Sequence, residues 1–469
     1  MALAALVPTV ALGQGQQGSG SPYSAYGLGD LTGTTQVAQA LMGGVGVGLI
    51  DPYSVISANP ASYVSLRVPV FETGLVGRAI DLRTENAKAT GGRTDILGLS
   101  LGVPVGRGNL QQGTAQPANR WGFAFGLSPV SKVGYQISEQ RNDVRFEYSG
   151  DGGLNRAFLG LGLVVWQTND TINKGSRLSI GADLNYLFGN IEETRKAYFS
   201  SGSNHYNSSV SSRLIVRSPT ATTGLQFSGD LITLAKAQAP LQRKRAERQD
   251  EAEKVNNRSA EPLRYTIGLS AELPASLYAE RTELINSFAV GSSGVEFPYD
   301  TLSFRESEPG RVDLPLLFGV GLSVYNSRWT LSAEHKRRDW AQFAVRVEDQ
   351  QFRSELTAHE IYAIGAGFTP AGDRRGTLLQ RTTYKAGVRY SRDYRMVLGQ
   401  QLQEIGMGFG IALPVMAPAT RSRVNLGVEF AEKGTTDNGL LKERSVNFFV
   451  GVTITPDVRE QWFKKRRLE

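Results

Sequence analysis

The chain has 469 residues, with 53 glycines, 20 phenylalanines, 17 tyrosines and no cysteine. The missing thiols exclude a disulfide framework, a thiolate metal centre and a cysteine nucleophile. The net charge of +7 sits in two runs: Arg243–Arg248 and Lys464–Glu469 contribute +3 each and leave +1 for everything else, which is not the spread basic groove that a nucleic-acid surface needs.

Residues 1–13, "MALAALVPTVALG", read as a secretory signal peptide. A short apolar stretch ends in small residues, with Ala11 and Gly13 placed for cleavage before Gln14, although a basic leading region is missing. "ALMGGVGVGL" follows, carrying Gly43, Gly44, Gly46 and Gly48, and then "IDPYSVISANPASYVSL" with Asp51, Asn59, Pro60 and Ala61. Such glycines permit close approach to a wall and positive φ. Pro60 restricts Asn59 to extended geometry. Asn59 can then cap a short helical turn whose first residue is Pro60. On these residues alone, an ordinary turn into the first strand competes with a packed segment.

From Arg67 onward the period is two. In "LFGVGLSVY", Phe318, Val320, Leu322 and Val324 share one face, opposite Gly319, Gly321 and Ser323. "RVNLGVEF" sets Val424, Leu426, Val428 and Phe430 against Arg423, Asn425, Gly427 and Glu429. One face is bulky and apolar and the other is polar or glycine, as on the lipid and lumen sides of a membrane barrel. The longest apolar run, Ala157–Trp166, is too short for a spanning helix but long enough for a spanning strand. The pattern predicts 13 to 16 strands, near 67–78, 94–104, 120–128, 132–140, 155–166, 176–189, 219–229, 263–273, 282–290, 315–325, 327–336, 358–368, 382–391, 404–413, 421–430 and 445–454. The fold class is all-β, a transmembrane antiparallel β-barrel over residues 67–455.

Two stretches break the rhythm. Asp230–Pro262 is charged and rich in helix formers, an exposed loop of helical character. Ala275–Asp313 is expected to form a strand or short hairpin beyond the membrane plane. Trp121, Trp166, Trp329 and Trp340 are expected in an interfacial aromatic girdle. Pro456 should end the last ladder, leaving residues 456–469 as a basic periplasmic tail with Trp462 and Phe463 at the interface.

Catalytic signals are weak. "GLSLG" at Gly98–Gly102 matches a nucleophile pattern that needs a strand-to-helix elbow, yet it lies in an alternating strand. His205, His335 and His359 are too dispersed for a triad or metal site. The chain reads as a non-enzyme with no cofactor and no metal.

"SPYSAYGLGDL" at Ser21–Leu31, the glycine stretch and "DPYSVISANPASYVSL" together resemble the start of a Bacteroidetes-type outer-membrane barrel family related to FadL-like hydrophobic-compound transporters. "VDLPLLFGVGLSVY" at Val312–Tyr325, and "VNLGVEFAEKGTTDNGLLKERSVNFFVGVTI" followed by "WFKKRR", resemble its middle and end. The resemblance implies a 14-strand barrel with an N-terminal plug, or hatch, in its lumen, here residues 14–66. It implies passive, plug-gated uptake of hydrophobic or amphipathic small molecules; the alternative is an accessory barrel subunit of a larger outer-membrane complex, as in protein secretion. The partners expected are outer-membrane lipids, a hydrophobic small-molecule substrate or outer-membrane proteins, and no nucleic acid.

Overall fold

The computed structural model describes residues 20–33, 36–105, 121–168, 175–200, 205–232, 263–291, 293–347, 350–352, 356–372, 376–415 and 420–456. The expected signal peptide (1–13), the first residues of the expected plug (14–19), most of the charged loop (233–262) and the expected tail from 457 lie outside the described residues.

Strands that carry an apolar face into lipid cannot leave an open edge there, because each unpaired backbone group would cost several kcal/mol. Closure removes the edge. The strands in chain order are β1 (Asp30–Leu31), β2 (Val70–Arg83), β3 (Lys88–Val105), β4 (Trp121–Pro129), β5 (Ser131–Arg141), β6 (Val144–Gln167), β7 (Arg177–Phe199), β8 (Asn207–Ile232), β9 (Leu263–Glu272) and β10 (Ala275–Val290). They continue as β11 (Glu296–Leu314), β12 (Leu317–Tyr325), β13 (Trp329–Asp339), β14 (Ala344–Val347), β15 (Gln350–Phe352), β16 (Ala358–Phe368), β17 (Thr383–Val397), β18 (Gln400–Pro414), β19 (Arg423–Lys433) and β20 (Lys442–Ile454). Fourteen of them form an antiparallel ring in the order β2, β3, β4, β6, β7, β8, β9, β12, β13, β16, β17, β18, β19, β20. The seam between β20 and β2, from Phe71 opposite Ile454 to Arg83 opposite Lys442, closes it.

Segments 132–140 and 282–290, read as strands in their own right, are β5 and β10 and do not cross the wall a further time. β4 and β5 both pair with β6, and β9 and β10 both pair with β8. Each is the continuation of a wall strand past a short break, and its alternation is the same as that of a new strand. β6, β7 and β8 run for 24, 23 and 26 residues, well beyond the ~9–11 needed to span a bilayer. With the β10–β11 hairpin they build a sheet that stands off one end, here the distal end. The opposite, terminal end holds the start of β2 and the finish of β20.

The outward face is apolar. On β18, Ile405, Met407 and Phe409 are exposed while Gly406, Gly408 and Gly410 face in. Trp121, Trp166 and Trp329 are half exposed, as a girdle requires. Trp340 is not in the girdle: it is 1% exposed. It lies in a 3-10 turn capped by Asp339, and its ring packs 4.7 Å from Tyr394 and 5.3 Å from Phe343 in the apolar core of the distal end.

Among the described residues the ring is weakened between β3 and β5. β3 pairs with β4 only from Leu99 to Val105, and beyond that point β5 pairs with β6 but not with β3. The gap is bridged by Asp95, which forms ion pairs with Lys132 at 3.2 Å and Arg93 at 2.9 Å, and by β1, whose Asp30 and Leu31 pair with Lys132 and Ser131.

Candidate functional site

The candidate site is the lumen, and the described N-terminal segment, residues 20–66, fills it. Each of the fourteen wall strands offers it a residue on the inward face. Glycines from facing strands stand opposite one another, such as Gly122 with Gly162, Gly162 with Gly181, Gly181 with Gly224, Gly268 with Gly321 and Gly365 with Gly387. A β-carbon added at Gly122 would fall 2.1 Å from Tyr63 O, at Gly181 2.4 Å from Pro60 C, at Gly268 2.0 Å from Val47 O, and at Gly387 2.1 Å from Gly43 N. The neighbours are mostly backbone, so no side chain could swing away. These glycines form a belt in which wall and segment touch main chain to main chain.

The segment's own glycines divide the work. Gly43 and Gly44 take φ of +71° and +87°, which L side chains rarely adopt. Gly46 and Gly48 serve close approach: an added β-carbon would lie 2.7 Å from Ala58 Cβ and 2.6 Å from Gly321 C respectively. Asn59 caps the 3-10 turn Pro60–Ser65, accepting from Ala61 N at 3.1 Å, with Pro60 first in the turn. Its Nδ2 donates to Val47 O at 2.8 Å and to Leu225 O and Leu269 O of β8 and β9 at 3.2 Å each. Asn59 is fully buried. One side chain thus joins the turn, the glycine stretch and two wall strands. Asp51 accepts from Tyr53 N at 2.8 Å and pairs with Arg423 at 3.3 Å.

Polar wall groups pair with further buried groups of the segment, mostly backbone. Glu334 accepts from Gly46 N and Val47 N at 2.6 Å each, and Glu72 from Val55 N at 2.7 Å. Gln226 donates to Val47 O at 3.0 Å, Lys385 to Ala38 O at 3.1 Å, and Arg177 to Ser65 Oγ at 2.7 Å. Towards the distal end a charged knot takes over. Arg395, 1% exposed, donates to Asp30 at 3.0 Å, to Asp393 at 2.5 Å and to Tyr23 O at 2.6 Å. Lys433 pairs with Asp393 at 2.8 Å and Asp30 at 3.4 Å. Burial works against ionising Asp30, but Lys433 and Arg395 outweigh it and hold its carboxyl down at about 2. No sequence signal marks this knot.

At the terminal end the segment leaves a chamber of about 550 Å³. Its lining includes Asp51, Tyr53, Arg177, Arg264, Arg328, Arg381, Lys385, Arg421 and Arg423. This chamber is rich in cations, set among apolar side chains such as Met42, Leu49 and Val415.

The other signals resolve simply. Ser100 of "GLSLG" lies within β3, away from any elbow, and its Oγ accepts from Gln36 at 2.6 Å. His335 stacks on Tyr362 at 4.5 Å, while His359 lies edge-on to Tyr394 at 6.3 Å. Among the described residues no group of three or more His, Cys, Asp or Glu could hold a metal ion.

Comparison with solved structures finds this architecture elsewhere. The Pseudomonas putida toluene transporter TodX is similar with a TM-score of 0.51 and 15% identity, over 91% of this chain and 99% of that one. A Pseudomonas aeruginosa FadL homologue is similar with a TM-score of 0.50 and 12% identity, over 91% and 98%. At these identities the likeness is one of fold: the FadL-type outer-membrane barrel. No curated protein matches the sequence. A family model described as BamG matches residues 1–469.

Proposed function

The chain belongs to the BamG family, and from that footing we propose that it is a plugged outer-membrane barrel that works as an accessory subunit of a larger outer-membrane assembly. The observation that carries this reading is the seal: residues 20–66 meet the wall main chain to main chain at glycines of β4, β6, β7, β9, β12, β16, β17 and β18 and through side chains on the other strands, and the chamber that is left is cationic. A lumen built this way is a support for surfaces at its two ends. The distal sheet of β6 to β8 with β10 and β11, and the terminal mouth, are the surfaces on offer. In this reading residues 14–66 are the plug, with Gly43, Gly44, Gly46, Gly48, Asp51, Asn59, Pro60 and Ala61 holding it. The distal end faces outward, because long excursions mark the external side of such barrels and short turns the periplasmic side.

Uptake of a hydrophobic small molecule is the second reading. It is favoured by the interrupted pairing between β3 and β5 and by a fold shared with TodX, a toluene transporter. The two separate in one experiment. The tagged chain is extracted from native outer membranes after cross-linking and also purified alone. A fixed outer-membrane protein partner recovered in constant ratio supports the accessory role. A lone barrel that carries a hydrophobic molecule in its lumen, or takes one up into liposomes, overturns it in favour of uptake.

A further inference from the structure

The terminal chamber holds more cations than carboxylates, and of these cations Lys385 and Arg177 also serve the seal, through Ala38 O and Ser65 Oγ. Arg423 is paired with Asp51, and Arg264 with Asp230 at 2.9 Å. Among the described residues, Arg177, Arg328, Arg381, Lys385 and Arg421 have no carboxylate within ion-pair distance. They come from β7, the β12–β13 turn, the short helix Leu378–Arg381, β17 and the approach to β19, and so ring the mouth. A second observation is independent of the charge count. The Nε–H groups of Arg381, Arg421 and Arg423 are buried and have no acceptor. A buried donor without an acceptor is costly; such groups also occur elsewhere, as at Arg156 and Arg338, and what singles out these three is that all of them line one open chamber.

We propose that this chamber is a binding site for an acidic peptide segment of a partner protein, entered from the terminal end. Cations of one sign lining a low-dielectric cleft focus its field and draw in anions. Guanidinium groups match carboxylates in fork geometry. The charges stand on separate strands around the mouth, which suits several carboxylates spaced along an extended chain better than one compact ion. The wall separates the chamber from lipid, so a headgroup of the surrounding bilayer is not placed to reach it. Tyr53, with Arg421 stacked 5.3 Å from its ring centre, and Tyr325 give an extended peptide apolar footing between the charges. The proposal deepens the accessory reading by naming the kind of partner it fits, and its test needs no partner capture.

The probe is fluorescein-labelled hexaglutamate, titrated against the purified full-length barrel by fluorescence anisotropy, with hexaglutamine and hexalysine as controls. Hexaglutamate should bind and both controls should not. Its Kd should weaken by about tenfold or more in Arg381→Gln/Arg421→Gln and on raising salt, since exposed charge pairs are screened. Arg141→Gln, at the distal end, should leave it unchanged. Arg328→Gln, on a mouth turn, provides a second variant should the double one lose its heat-modifiable fold. Equal binding by the variants and the parent, equal binding of hexaglutamine, or displacement by inorganic phosphate at matched charge would overturn the proposal, the last in favour of a small oxyanion site. Binding of hexaglutamate to a barrel that cross-links to no partner would uphold the site and sink the accessory role alone.

Discussion

Alanine at Gly181 would set a methyl carbon 2.4 Å from Pro60 C and 2.5 Å from Ala61 N, both backbone atoms held by the Asn59 cap. Overpacking of this kind typically costs about 1–3 kcal/mol. Gly181→Ala should therefore loosen the N-terminal segment, read as faster proteolysis of residues 20–66. Gly77→Ala, with nothing within 4 Å of its added carbon, should leave that rate unchanged. Asn59→Ala removes a cap worth about 1 kcal/mol and strips three buried carbonyls of a shared donor. The loss in unfolding free energy should exceed that of the cap alone, and Asn59→Asp, which keeps the cap but sets a buried carboxyl against the three carbonyls, should not recover it. The cap was legible in the sequence because Asn-Pro carries its own geometry. The three carbonyls were not, since Val47, Leu225 and Leu269 meet Asn59 only through the fold. Trp340 failed for a related reason: a tryptophan at a strand end looks the same whether lipid or a tertiary cluster covers it.

The N-terminal segment, residues 20–66, is held at its distal end by charge. Asp30 is ionised down to about pH 2 when docked, against about 3.9 in an unfolded chain. A carboxyl with a depressed pKa contributes its full stabilisation above the unfolded value and loses it as pH falls through the folded one. Docking of residues 20–33 should thus hold at pH 5 and weaken between about pH 4 and 2, by about 2 kcal/mol in total. Hydrogen exchange of that stretch across the window checks this, and Asp30→Asn should flatten the profile while lowering protection at pH 7. Sequence could not supply the knot, since Lys433 and Asp30 lie 403 residues apart. The strands were legible because two-residue alternation is a local property. Whether a strand continues or crosses anew was not, because that depends on which neighbour its backbone finds. Removing residues 22–62 should leave the fourteen-strand ladder intact and open the lumen. In planar bilayers the parent should stay silent and the deletion conduct; a silent deletion would mean that the distal sheet and the turns close the pore by themselves.

At the scale of the molecule, a ring with an apolar exterior predicts a protein that resists unfolding by detergent until heated. Unboiled and boiled samples should migrate differently on a gel; identical migration across detergents would count against the barrel. The closing seam adds a kinetic consequence. β2 and β20 are the most distant partners in the ladder, and joining sites far apart along a chain is the slow step in topologies rich in non-local pairings. Val37 of the N-terminal segment, which we propose as the plug, lies under that seam, against Gly74 of β2 and Gly451 of β20. An undocked plug would leave both glycines facing a void, so the two final edges would meet without the residue that aligns them. Maturation of the ring should then report whether the plug has arrived, and chains lacking it should linger as open, unsealed intermediates before they close.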